Sequence, residues 1–434
     1  MKKSSHQLGF WGLFSIVIGS QIGSGVFMLP STLAPFGYYA FAGWLTAGAG
    51  ALALTMVFVK LVERFPKTGG PHVYAQQALG VDVAFFTGWT YWVISSVSSV
   101  TVVLAALGYL SPILGVLSPH TSAACQLMLL FAVMVLNLYG VDQAGSAETL
   151  LAIIKIFTLI VIPVFALLYF NVDHIATSSS LLQEASALNL TGQATLLTLW
   201  AFIGLETATT PAESTVNPKF TIPAAMLSGT TCVLLLYLLN SIALQGLIPF
   251  SVLEQSQAPY VDAAKLLLGG EWSAAVGVFA ALVCLSNLNA WILTSGQIAL
   301  GLAQDGFLPP VFKECNTYGA PKFGLFVSCA MIALLILTSM DSSLLSQVIY
   351  IINISVTAFL YVYLVCCASL LVLLWREAKP WYNEEYYFAL CAGFFCLYLI
   401  FTTAWTINLV ALLFILSGIP IYLLRPTWHL AKPV

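Results

Sequence analysis

Long apolar stretches alternate with short polar ones along the whole chain, and about twelve of the apolar stretches are long enough to cross a bilayer. They fall near 9–34, 38–62, 84–111, 123–141, 147–170, 194–212, 222–248, 271–302, 323–340, 345–374, 385–403 and 405–424. The pattern predicts an all-α integral membrane protein embedded in the lipid bilayer. Its first stretch is interrupted at the centre by Ile22-Gly23-Ser24-Gly25-Val26-Phe27. Glycine weakens a helix, and unwound backbone is tolerated at that depth only where protein or a water-filled cavity surrounds it. The freed N–H groups then suit a carboxylate halfway through the membrane. A glycine notch for helix packing would use the same letters.

The sixth stretch is interrupted too, by Gly204, Glu206, Thr207, Thr209, Thr210 and Pro211. Spans one and six lie five apart, so they run in opposite directions. Two broken helices in corresponding places predict two inverted five-helix repeats, about 9–172 and 193–374, around a central binding site. The last two helices, about 385–424, would lie outside the repeat, and the chain reads as a single transmembrane domain.

Composition agrees with this reading. The chain is 60% hydrophobic and 7% charged, against roughly 25% charged in soluble domains, and its mean hydropathy is +0.96. A net charge of −3 spread over so few residues forms no basic patch, which excludes nucleic acid as a partner. Charge placement sets the threading. With the N-terminus in the cytoplasm, that side receives Lys2, Lys3, Lys60, Arg64, Lys67, Lys219, Lys313, Lys322, Arg376, Lys379, Arg425 and Lys432. The other side receives only Lys265, and Lys155 falls inside span five. This asymmetry predicts both termini on the cytoplasmic face of a bacterial inner (plasma) membrane. No small-residue cleavage site follows Lys2 and Lys3, so span one reads as retained.

Catalytic signals are missing. The nine cysteines lie mostly in apolar runs with no C-x-x-C pair and read as small hydrophobes. His6, His72, His120, His174 and His429 are scattered without metal-ligand or triad spacing. No nucleophile–base pair or cofactor motif appears, so the chain is not read as an enzyme and neither cofactor nor metal is expected.

Several short motifs, taken in order, resemble the amino acid–polyamine–organocation superfamily of transporters. They are Ile22-Gly23-Ser24-Gly25-Val26-Phe27-Met28-Leu29-Pro30, Phe65-Pro66-Lys67-Thr68-Gly69-Gly70-Pro71-His72-Val73-Tyr74 and Trp200-Ala201-Phe202-Ile203-Gly204-Leu205-Glu206. Val216-Asn217-Pro218-Lys219 and Asp305-Gly306-Phe307-Leu308-Pro309 follow. Within the superfamily the chain looks most like the basic amino acid/polyamine antiporters, which include the arginine/agmatine antiporter. The resemblance implies ten helices in two inverted repeats plus two more, working by alternating access on a small amino acid or amine. A homodimer is the assembly considered with it.

The resemblance also implies roles for particular residues. Ser24, with the N–H groups of Gly23 and Gly25, would hold the substrate carboxylate, while carbonyls near Ser20, Gln21, Trp200 and Ile203 would accept from its ammonium. Gln21 stands where those antiporters carry an apolar residue. Trp200 and Trp291 match tryptophans that cover the substrate. Ser355 lies near the outer gate, which Tyr91 and Tyr363 match. Ser95 and Ser99 replace a larger polar side chain in span three and imply a changed pocket. Glu206 is the one acid clearly inside the bilayer, where a charge is costly and by default functional. The family assigns the matching residue to gating and acid sensing. Lys155 occupies the place where sodium-coupled relatives hold their ion, which suits sodium-independent transport and a proton-coupling role. The arginine/agmatine antiporter lacks it.

Three functions follow. The first is exchange of an amino acid for its decarboxylated amine. The second is proton-coupled, sodium-independent uptake of a neutral amino acid, which Lys155 favours. The third is an amino acid sensor with little flux, against which the lack of a sizeable cytoplasmic domain argues.

Overall fold

Eleven helices among the described residues are long and apolar enough to cross a membrane, and a shorter one runs over Lys155–Leu167. The eleven match eleven of the twelve spans expected, the shorter helix lies where span five is expected, and all keep the same numbers below. The computed structural model describes residues 9–66, 70–115, 117–139, 155–157, 159–175, 182, 186–209, 215–339 and 344–425. Residues 140–141 of span four, 147–154 and 158 of span five, 67–69 of the loop motif, 210–212 of span six and 340 of span nine lie outside them.

Span three, Val81–Tyr109, is the axis of the bundle. Its apolar stretch is wholly buried, and it packs against span eight (Ser273–Gln304) and span ten (Leu344–Arg376). Spans eleven (Glu384–Thr402) and twelve (Trp405–Leu424) sit at the periphery, with Phe401 83% and Trp405 73% exposed. Lipid is as apolar as these side chains, so their exposure is at no disadvantage there and close helix contact must come from shape. Glycines provide it. Gly43 of span two backs directly onto Ala194 of span six, and Thr198 Oγ1 donates to the Gly43 carbonyl at 3.1 Å across the contact. Gly229 of span seven likewise admits Val17 of span one.

Polar contacts gather at the helix ends. Arg64, ending span two, donates from Nε to Glu377 at 2.8 Å and from Nη2 to Glu385 at 2.6 Å, joining spans ten and eleven. His72, on the short helix Pro71–Leu79, meets Asp305 after span eight at 3.1 Å. Arg425 stacks over Phe307 at 5.0 Å. All of these lie on the side that the charge pattern assigns to the cytoplasm. The segment between spans seven and eight carries the helix Pro259–Leu268, which buries Tyr260, Val261, Ala263 and Ala264.

Candidate functional site

Span one is two helices, Phe10–Gln21 and Ser24–Leu33. The interruption is shorter than the sequence indicates. Only Ile22 (φ −78°, ψ 99°) and Gly23 (φ −144°, ψ −144°) leave the helix, and Ser24 and Gly25 already form the first turn of its second half. Glycine is tolerated there because first-turn N–H groups have no intrahelical partner to lose. Those N–H groups and the positive end of the helix dipole point back into the break. Gly25 also brings the chain close to span six, since a β-carbon there would lie 3.1 Å from the Trp200 ring.

Span six breaks in the same region. Helix Ala187–Leu199 tightens into a 3-10 turn at Trp200–Phe202. Ile203 is extended and Gly204 has φ +103°, a conformation that favours glycine, before a second 3-10 turn at Leu205–Thr209. Ser20 laces the two breaks together. Its hydroxyl lies 2.8 Å from Thr207 Oγ1 and donates to the Gly204 carbonyl at 3.1 Å.

Between the breaks is a cavity of about 20 Å³, lined by Ser20, Gln21, Gly23, Ser24, Gly25, Trp200, Ala201, Ile203, Asn287 and Trp291. That volume holds about one water molecule, so the site is closed down around its centre. Two of the lining polar atoms, Ser24 Oγ and Gln21 Oε1, are buried with no partner among the described residues. Burying a polar group unpaired is costly, which marks both atoms as waiting for a ligand or water. The other end of the Gln21 amide donates to Thr230 at 3.3 Å.

Side chains that sequence reasoning missed hold this site together. Asn287 of span eight donates from Nδ2 to the Ser20 carbonyl at 3.2 Å and to the Gly19 carbonyl at 3.4 Å. Tyr237 of span seven donates to the Gln21 carbonyl at 2.7 Å. The freed carbonyls expected to serve a substrate ammonium are therefore partly engaged already. Two asparagines close together in an apolar span, Asn287 and Asn289, were the available signal for Asn287. Lys155 is fully buried, and its Nζ lies 3.4 Å from the same Gly19 carbonyl.

Glu206 is fully buried and receives a phenol on each oxygen, from Tyr91 at 2.8 Å and Tyr363 at 2.9 Å. Two donors on two acceptor oxygens suit a carboxylate. A protonated Glu206 would add an O–H that needs a partner of its own. Spans three, six and ten thus meet at one ionisable group. Phe359, also missed in the sequence, packs against Tyr91 (5.8 Å), Tyr363 (6.0 Å) and Trp291 (6.2 Å), linking this gate to the cavity wall.

The remaining serines stand apart from the cavity lining. Ser95 Oγ lies 2.8 Å from Ser295 Oγ, tying span three to span eight, and Ser99 donates to the Ser95 carbonyl at 2.9 Å. Ser355 is buried in span ten with its hydroxyl unpartnered among the described residues.

The family described as amino acid permease matches residues 8–424. Among curated proteins the chain is 29% identical over 343 residues to the cadaverine/lysine antiporter of Escherichia coli K12, covering 78% of this chain and 77% of that one. It is 26% identical over 404 residues to the putrescine transporter PotE of Haemophilus influenzae, covering 92% and 93% of the two chains. PotE of Escherichia coli K12 is 26% identical over 370 residues, covering 85% of this chain and 84% of that protein.

Proposed function

Since the chain belongs to the amino acid permease family, and is thereby a membrane transporter and not an enzyme, we propose that it exchanges a cationic amino acid for the corresponding diamine by alternating access. The observation that carries this reading is the pair of broken helices facing one buried cavity, with Ser24 Oγ and Gln21 Oε1 unpartnered inside it. The carboxylate of an amino acid would sit on Ser24 and the N–H groups of Gly23 and Gly25. A diamine lacks that group, so it would rely on carbonyls, the Trp200 and Trp291 rings and Glu206. The relatives' names, a cadaverine/lysine antiporter and putrescine transporters, support cationic substrates of this length.

In this reading 9–172 and 193–374 are inverted repeats that rock about the site, with Tyr91, Glu206 and Tyr363 as a gate. The Lys/Arg asymmetry supports both termini in the cytoplasm, the bacterial relatives support an inner membrane, and a homodimer is the assembly considered with the family resemblance. Ser95, Ser99 and Ser355 would shape the pocket when it opens. Proteoliposomes loaded with unlabelled cadaverine, putrescine, lysine or ornithine test the proposal. An exchanger accumulates labelled external lysine or ornithine only when one of these substrates is inside. Uptake into empty vesicles driven by a pH gradient would contradict it.

One observation favours a second reading, proton-coupled uptake. Lys155 is buried against the carbonyl end of the first half-helix, where its ammonium would stand in for a coupled cation. The same vesicles separate the two readings.

A further inference from the structure

A cavity far larger than the central one lies at the mouth of the bundle. It measures about 820 Å³ and is walled by the end of span three, the start of span four, the segment 251–265 and Gln347 at the start of span ten. All of these are segments that the charge pattern places outside the cell. The volume is in the range of small-molecule sites, roughly 300–1,000 Å³, whereas the central cavity takes about one water.

The wall carries one carboxylate and one ammonium, a turn apart on the helix Pro259–Leu268. Lys265 Nζ lies 3.3 Å from Asp262 Oδ1. The carboxylate is fixed from behind, because Ser256, only 6% exposed, donates to Asp262 Oδ2 at 2.5 Å and accepts from the Ala258 N–H at 3.2 Å. Gln126, Gln257 and Gln347 add amides around the pair. Neighbours of the lining residues link the cavity wall to the broken helix. Tyr109, beside its span-three wall, donates to the Phe27 carbonyl at 2.6 Å, and Tyr260, beside Val261, packs on the Phe27 ring at 4.8 Å.

We propose that this outer cleft is a waiting site for a zwitterionic amino acid, with its ammonium on Asp262 and its carboxylate on Lys265. The inference rests on the transport reading above and deepens it. The two charges of an α-amino acid sit on one carbon, which matches a charge pair one helical turn long. A diamine offers Lys265 no anion and meets a like charge instead. The cleft therefore holds the entering amino acid and lets the leaving amine go, which biases exchange toward amino acid import without any change at the central site. Because the charges are partly exposed, the effect falls on external capture.

Right-side-out vesicles bearing the full chain test this. Lys265→Gln raises the external KM for lysine several-fold, leaves the external KM for cadaverine unchanged or lower, and leaves both internal KM values unchanged. Asp262→Asn raises the external KM for both. A second readout needs no flux. In a Cys125→Ser background, external lysine slows labelling of Ser251→Cys by an impermeant maleimide, cadaverine does not, and Lys265→Gln removes the protection. Protection without exchange would sink the transport reading and keep the cleft. Exchange with unchanged external KM values, equal shifts on both sides, or no protection by lysine would overturn the cleft.

Discussion

Asn287 fills the space where Gly23 lacks a side chain. A β-carbon on Gly23 would overlap the Asn287 amide, and that amide is already donating to the Ser20 and Gly19 carbonyls. The break in span one is therefore held by span eight through one side chain. Gly23→Ala should displace Asn287 and lower transport by roughly tenfold or more while the protein still inserts. Gly9→Ala, at a position with nothing within 4 Å, is the control and should change nothing. Initial exchange rates at matched membrane abundance check both.

Glu206 separates charge from shape. Glu206→Gln keeps the size and leaves both tyrosines a partner, so folding should survive while transport slows and its pH dependence flattens. Glu206→Ala instead strands the Tyr91 and Tyr363 hydroxyls, and each stranded buried hydroxyl costs about 1–3 kcal/mol. Detergent melting should show a loss for Ala and little for Gln. Uptake by Glu206→Gln equal to wild type at every pH between 5 and 8 would remove the carboxylate from the mechanism.

Lys155 bears on coupling. A buried ammonium at the Gly19 carbonyl leaves no need for a sodium ion to brace spans one and five. Replacing sodium with choline should leave the wild-type rate unchanged. Lys155→Met should lower exchange on the order of tenfold through misplacement of the first half-helix. Sodium-stimulated uptake would refute the idea.

Glu377 gives a pH signature outside the membrane. Hydrogen bonds from Arg64, at 2.8 and 2.9 Å, hold its carboxyl below the usual range despite some opposing burial. A lowered folded pKa adds stability that is fully present above the unfolded value of about 4.3 and is lost as pH falls through the lower folded value. Melting temperature should therefore decline below about pH 4, and Glu377→Gln should weaken that decline. Equal slopes in both proteins over pH 3–6 would count against the contact.

The breaks in spans one and six were legible because glycine inside an apolar run has a steep local cost. Glu206 was legible because a lone acid among apolar residues has no bland use. Asn287, Tyr237 and Phe359 were not, since their partners come from spans far away in sequence and nothing local announces a carbonyl 3.2 Å distant. Ser95 shows the converse. Its position drew it into the expected pocket, but a hydroxyl at membrane depth needs a partner, and Ser295 on the neighbouring span supplies one. The extent of the span-one break was overread for a related reason, because glycines in a first helical turn look the same in sequence as glycines in unwound chain.

The most direct measurement is a density map of the protein with bound lysine. The account predicts an α-carboxylate within hydrogen-bond distance of Ser24 Oγ and the N–H groups that open the second half of span one, beneath Trp200 and Trp291. A continuous helix through Ile22 and Gly23, or lysine bound with its carboxylate away from Ser24, would contradict it.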